Sequence, residues 1–281
     1  LIVSSLLNIA LALLFIVAFG WGVPGSAIAL VIAQAVSAVL CLCFMRRRFP
    51  MLRLTRADWN FDWPFAWQHL RLGLPMAVQF LIISMGILVL QSVCNTFGPE
   101  TIAGFVSATK IEQLALQPMI SFGIAMAVYS AQNYGASQYG RIRQGVRSAT
   151  LIGGIYSIAA CIVLTVFGGV IPLLFVDASE TVVIHQAHQF LTFNSLFYIP
   201  LTIVNVWRFT IQGMGYSLLA ILAGVCEMIA RAMVGFLLVP IFGYIIICFA
   251  SPLAWLLADA FLIPAFFYCQ KHLLSEKARM D

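Results

Sequence analysis

Long apolar runs, interrupted at short intervals by glycine, proline and charge, set the pattern of this chain. Runs of some 20 apolar residues are the length a helix needs to cross a bilayer. Reading between the breaks gives eight of them, over 2–19, 24–44, 70–95, 101–131, 148–169, 186–212, 216–240 and 245–270. The runs are continuous, without the ten-residue alternation of a transmembrane barrel. The expected fold class is therefore all-α, a polytopic membrane helix bundle of about eight transmembrane helices.

Composition agrees with that reading. Hydrophobic residues make up 62% of the 281 positions and charged residues 9%, with a mean hydropathy of +1.01. Soluble domains carry roughly 25% charged residues, so this chain cannot coat itself in charge. Seven cysteines lie scattered, and Cys41 and Cys43 point away from each other on a helix. They read as small apolar residues, not as a disulfide framework or a metal pair. Leu1 already lies in an apolar run, with no Met and no basic leader region, so the chain is expected to continue something longer.

Charge then orients the bundle. Arg46, Arg47, Arg48, Arg53 and Arg56 follow the second run, and Arg141, Arg143 and Arg147 the fourth. Lys271, Lys277 and Arg279 follow the eighth, and Arg208 precedes the break at 213–216. The alternate breaks, GWGVP, TFGPET, VDASE and PIFGY, hold no Lys or Arg. Basic breaks face the cytoplasm, which places the C-terminus inside; the expected location is a plasma (inner) membrane. The same rule accounts for the arginines without nucleic acid. The aromatic segment ADWNFDWPFAWQHL (57–70) reads as an interfacial lead into the third span.

Five ionisable residues are placed near the middle of spans: Lys110, Glu112, Glu227, Arg231 and Asp259. A lone charge at the bilayer centre costs about 2.5–3.5 kcal/mol on insertion scales, and such residues face protein or water. All five are candidates for ion coupling. Glu227 and Arg231 are i,i+4 and meet on one helix face, beside Ala220, Gly224 and Gly235, which allow close helix approach. That pair reads either as a structural ion pair or as part of a gate.

Polar stripes extend the argument. Thr109, Lys110, Gln113, Gln117 and Ser121 share a third of the fourth run, with Glu112 at the border. Asn194, Tyr198, Thr202, Asn205, Arg208 and Gln212 share one face of the sixth, and Ser84, Gln91 and Asn95 line up on the third. Single polar residues can be interhelical glue, but three stripes suggest a shared hydrated cavity. Its candidate lining is Gln79, Gln91, Asn95, Gln113, Gln117, Asn194, Tyr198 and Asn205. Pro75, Pro118, Pro200, Pro252 and Pro264 lie in or at the start of spans. A proline there bends the axis and frees a carbonyl, as in transporters with alternating access.

No HExxH, Walker loop, GxSxG or CxxC occurs, so an enzyme is not expected, nor a cofactor or metal. His185 and His188 are spaced as two ligands would be, but read better as interfacial histidines.

Several stretches resemble, in order and spacing, the multidrug and toxic compound extrusion (MATE) transporters. They are GLPMAVQF (73–80), NTFGPETIAGF (95–105), KIEQLALQPMISFG (110–123), AQNYGA (131–136), RFTIQGMGYS (208–217), EMIAR (227–231) and FGYIIICFASPLAWLLAD (242–259). NIALALLFIVAFGWGVPGSAIALVIAQ (8–34) is similar to the family's fifth and sixth helices. The resemblance implies twelve helices in two six-helix lobes that open alternately and export organic cations against H⁺ or Na⁺. It divides the chain into the last two helices of an N-terminal lobe (1–45), a cytoplasmic or interfacial linker (46–69), a six-helix C-terminal lobe (70–273) and a cytoplasmic tail (274–281). The rest of the N-terminal lobe would be its partner, and the complete protein a monomer in the lipid bilayer.

This chain departs from the family in two ways. Acidic residues that relatives place on the first helix would lie outside it, and the spans matching the family's seventh and tenth helices carry none. Ala12 also stands where many relatives are acidic. Glu112, Glu227 and Asp259 are left as the acidic candidates. Desolvation and a neighbouring cation pull a carboxylic acid opposite ways, so Glu112 can exchange a proton for a cationic substrate. A structural ion pair of Glu112 with Lys110 or another lobe is the plainer alternative. A lipid-linked or polysaccharide flippase and a non-transporting membrane scaffold are the rival functions.

Overall fold

The computed structural model describes residues 2–50 and 60–280, with side chains except at 72 and 272–280. The described residues form helices and short turns, with no strand. The chain makes two compact units, Leu1–Trp67 and Gln68–Asp281. Arg53, Arg56 and most of the linker's centre lie outside the described residues, as do the side chains of Lys277 and Arg279.

In the first unit α1 (Ile2–Leu13) runs on through a π turn, Leu14–Ala18, and packs antiparallel on α2 (Gly22–Arg48). The reversal needs Gly20 and Gly22, at φ 65° and 57°, which side-chain-bearing residues adopt at a cost. Phe15 stacks on Trp21 with ring centroids 5.1 Å apart, and Gly25 lets α2 close on Phe15. Arg46, Arg47 and Arg48 end α2, where cations suit the helix dipole.

The second unit holds the remaining helices: α3 (Trp63–Cys94, most of it in this unit), α4 (Pro99–Gly135), α5 (Tyr139–Phe167), α6 (Thr181–Ser195), α7 (Tyr198–Gly213), α8 (Ser217–Met233), α9 (Val239–Phe242) and α10 (Tyr244–Met280). Pro75, Pro118, Pro252 and Pro264 lie inside α3, α4 and α10. Among the described residues six helical segments are long and apolar enough to cross a membrane: α2 to α5, α8 with α9, and α10 up to Lys271. The first expected run becomes the shorter helix Ile2–Ala18. The aromatic segment is partly helical, since Trp63 and Trp67 stack in the opening turns of α3.

One expectation is corrected. The run 186–212 is not a continuous span but two helices, α6 and α7, meeting at 54°. Leu196 and Phe197 sit at the break, and Pro200 in the first turn of α7 has no N–H to carry the ladder across it. The eighth run, by contrast, stays helical through Pro252 and Pro264.

Packing is inverted relative to a soluble protein. α5 turns Leu151, Ile155, Ile158, Ile162 and Val166 outward, each more than half exposed, while Ser157 and Thr202 are buried and bonded, hydroxyl to hydroxyl, at 2.8 Å. The protein is a multi-pass membrane protein. α7 lies against α4, α5 and α10, and glycines set how closely. A Cβ on Gly213 would collide with the carbonyl oxygen of Ala127, and one on Gly123 with the Phe209 ring.

Gly213→Ala is expected to cost about 1–3 kcal/mol, as overpacking of a close contact does. Gly154→Ala, where a Cβ meets nothing within 4 Å, should leave stability unchanged. Thermal unfolding of the two purified variants checks this.

Candidate functional site

α3, α4, α7, α8 and α10, with Phe190 of α6, enclose a cavity of about 280 Å³ inside the second unit. Its walls are mostly aliphatic and aromatic, with Phe80, Phe105, Phe209 and Trp255 among them. Set into that surface are four charges, Glu112, Arg208, Glu227 and Arg231, and the polar side chains of Gln79, Gln113 and Asn205.

Arg208 of α7 and Arg231 of α8 share one carboxylate. Arg208 donates from Nη2 to Oε1 of Glu227, and Arg231 donates from its Nη2 to Oε2 at 3.0 Å. The three are 5%, 4% and 3% exposed. α3 covers this cluster closely: Gly86 lies against Met228 and Arg231, Gly224 against Gln79, and Gly235 against Val93. Below it Gln212 of α7 donates through Nε2 to Oε1 of Gln79 on α3, both buried. Two hydrogen-bonded links therefore tie α7 to its neighbours on this side of the unit.

Glu112 differs. It too is buried, at 8% exposed, yet its Oε1 has no hydrogen-bond partner, and Arg231 is the charge that acts on it. Lys110 points the other way, exposed on α4 and in no ion pair among the described residues. The Lys110–Glu112 pairing weighed as an alternative is not formed. Gln113 and Gln117 share the exposed face of α4, and only Gln113 reaches the cavity rim.

Asp259 lies one turn beyond Trp255 on α10, buried, with Oδ1 unpartnered. It does not line the cavity, but Arg208 and Glu227 act on it. The stripe along the sixth run is buried throughout but faces several neighbours. Asn194 bonds to the carbonyls of Phe190 and Cys248 at 3.0 and 3.2 Å. Tyr198 packs at a tilt behind Trp255, ring centroids 6.3 Å apart, and Thr202 turns to α5. Asn205 alone of the stripe's candidates lines the cavity, together with Arg208. Gln91 and Asn95 bond to each other at 3.1 Å and stand outside it.

Arg208 is the residue that sequence reasoning misplaced. It counts with the basic breaks by position, yet it is buried and paired across helices. Its membership of the polar stripe was the available signal, since no local spacing links it to Glu227. His188 donates from Nε2 to the carbonyl oxygen of Thr165 at 3.1 Å. Among the described residues no three His, Cys, Asp or Glu side chains are placed to hold a metal.

Known proteins share this architecture. The probable multidrug resistance protein YoeA of Bacillus subtilis is 29% identical over 198 residues, 68% of this chain and 42% of its own length. NorM of Thermotoga maritima, also a probable multidrug resistance protein, is 23% identical over 200 residues, 70% of this chain and 42% of its own. A multidrug resistance MATE family transporter solved in an outward-facing conformation superposes with a TM-score of 0.89 at 20% identity, over 98% of this chain and 62% of that one. A MOP superfamily transporter from Pyrococcus furiosus, described as having a binding pocket of reverse polarity, superposes with a TM-score of 0.85 at 20% identity over the same shares. The chain thus spans less than half of these curated relatives. The MatE family model matches residues 75–237, which hold most of the cavity lining, and the chain belongs to the MatE family.

Proposed function

We propose that this chain is the C-terminal part of a secondary active transporter that exports organic cations by H⁺ or Na⁺ antiport, its two lobes alternating in access. Glu112 carries the reading. An apolar cavity with one buried, unpartnered carboxylate is complementary to a lipophilic cation, and the same carboxylate can hold the coupling ion when the substrate leaves. The exposed polar face of α4, with Lys110, Gln113 and Gln117, suits a hydrated path.

A flippase for anionic headgroups draws support from Arg208 and Arg231 in the wall. Both, however, are held by Glu227, and the charge left open is negative. That favours the cation reading.

Ethidium efflux from cells lacking their own pumps, expressing the full-length gene, tests the proposal. Efflux that collapses with a proton uncoupler or in Na⁺-free medium is expected; a well-expressed protein that exports no cation sinks the antiporter.

The two buried glutamates should separate cleanly. Glu112→Gln removes an unpaired carboxylate and should abolish gradient-driven efflux while keeping or raising thermal stability. Glu227→Ala leaves two buried arginines uncompensated and should cost about 3–5 kcal/mol. Melting curves beside efflux rates distinguish these outcomes.

A further inference from the structure

The cavity wall holds two arginines and two glutamates, but their pairing is uneven. Glu227 spends both carboxylate oxygens, one on each guanidinium. Glu112 keeps a buried oxygen without a partner, Arg231 keeps both Nε and Nη1 without one, and Arg208 keeps Nε alone. Buried charges are stabilised when paired and costly when not, so an arrangement that pairs all four competes with this one. It requires one change: Arg208 stays on Glu227, and Arg231 turns to Glu112.

Arg231 is the arginine able to make that move. It is the charge that acts on Glu112, and both line the same cavity. Its departure leaves Glu227 held by Arg208, which Asp259 also acts on from α10. Gly86 of α3 turns only backbone toward it, so no side chain stands on that side: a Cβ there would come within 3.4 Å of Cδ and 3.5 Å of Nη1 of Arg231.

We propose that Arg231 is a built-in competitor for the Glu112 site. With no cation in the cavity it exchanges Glu227 for Glu112; an entering organic cation takes the carboxylate and returns Arg231 to Glu227. Arg231 is thus a specificity-determining residue, because a ligand must deliver a positive charge to displace it and a neutral isostere cannot. The inference rests on the cation reading above and deepens it.

Ethidium binding to the purified full-length protein, followed by fluorescence anisotropy, tests it in a double-mutant cycle. Arg231→Gln should tighten ethidium about tenfold, a difference of about 1.4 kcal/mol, because the competitor is gone. In the Glu112→Gln background the same change should do nothing. Arg231→Lys, which keeps an i,i+4 ion pair with Glu227 but has no guanidinium fork, should fall between and serves if Arg231→Gln does not fold. Unchanged or weaker binding in a folded Arg231 variant, or equal effects in both backgrounds, overturns the competitor alone when wild type binds and Glu112→Gln weakens binding. Absence of ethidium binding to every form overturns the cation reading and this inference together.

Discussion

A charge inside a bilayer has no water to turn to, so it must find its partner within the protein. In this chain that constraint is met at Glu227, whose carboxylate is gripped from two helices at once. The grip joins α7 to α8 at the depth where neither helix has solvent. Other contacts are arranged around it. Gly86 and Gly224 bring α3 against α8, and Gly123 and Gly213 bring α4 against α7. Small residues at these crossings are what lets van der Waals packing hold helices together where lipid offers no hydrophobic drive.

Against that satisfied cluster Glu112 stands out by what it lacks. Both glutamates are buried in one cavity, yet one has two guanidiniums and the other has none. Stability alone does not favour such a residue, and groups of this kind mark binding and coupling sites in membranes. The division of labour is local: α7 and α8 supply the fixed charges, α4 supplies the open one, and the aromatic wall supplies an apolar body for the ligand.

Much of this was legible in the sequence because lipid imposes one-dimensional rules. Span length, the Glu227–Arg231 spacing and the depth of Glu112 follow from rise and periodicity along a single helix. What eluded the sequence lies between helices. The Arg208–Glu227 contact joins residues 19 apart on different elements, and nothing in either helix announces the other. The stripe of the sixth run assumed a straight axis, and the bend at Leu196–Phe197 sends Asn194 to α10 and Tyr198 behind Trp255. Lys110 and Glu112, two positions apart, look alike in depth but face opposite environments. Gln91 and Asn95 were read as cavity residues from alignment alone, and they bond to each other instead.

The bend has a consequence for how the protein is made. At about 1.5 Å per residue, α6 with 15 residues and α7 with 16 each fall short of a hydrocarbon core about 30 Å thick. Neither half is long enough to cross that core alone, and α7 carries Arg208 besides. The two reach across it only together, as one bent unit, and Arg208 meets Glu227 only after the helix that follows has been synthesised. Biogenesis of the site is therefore ordered: the arginine waits in the membrane for its carboxylate.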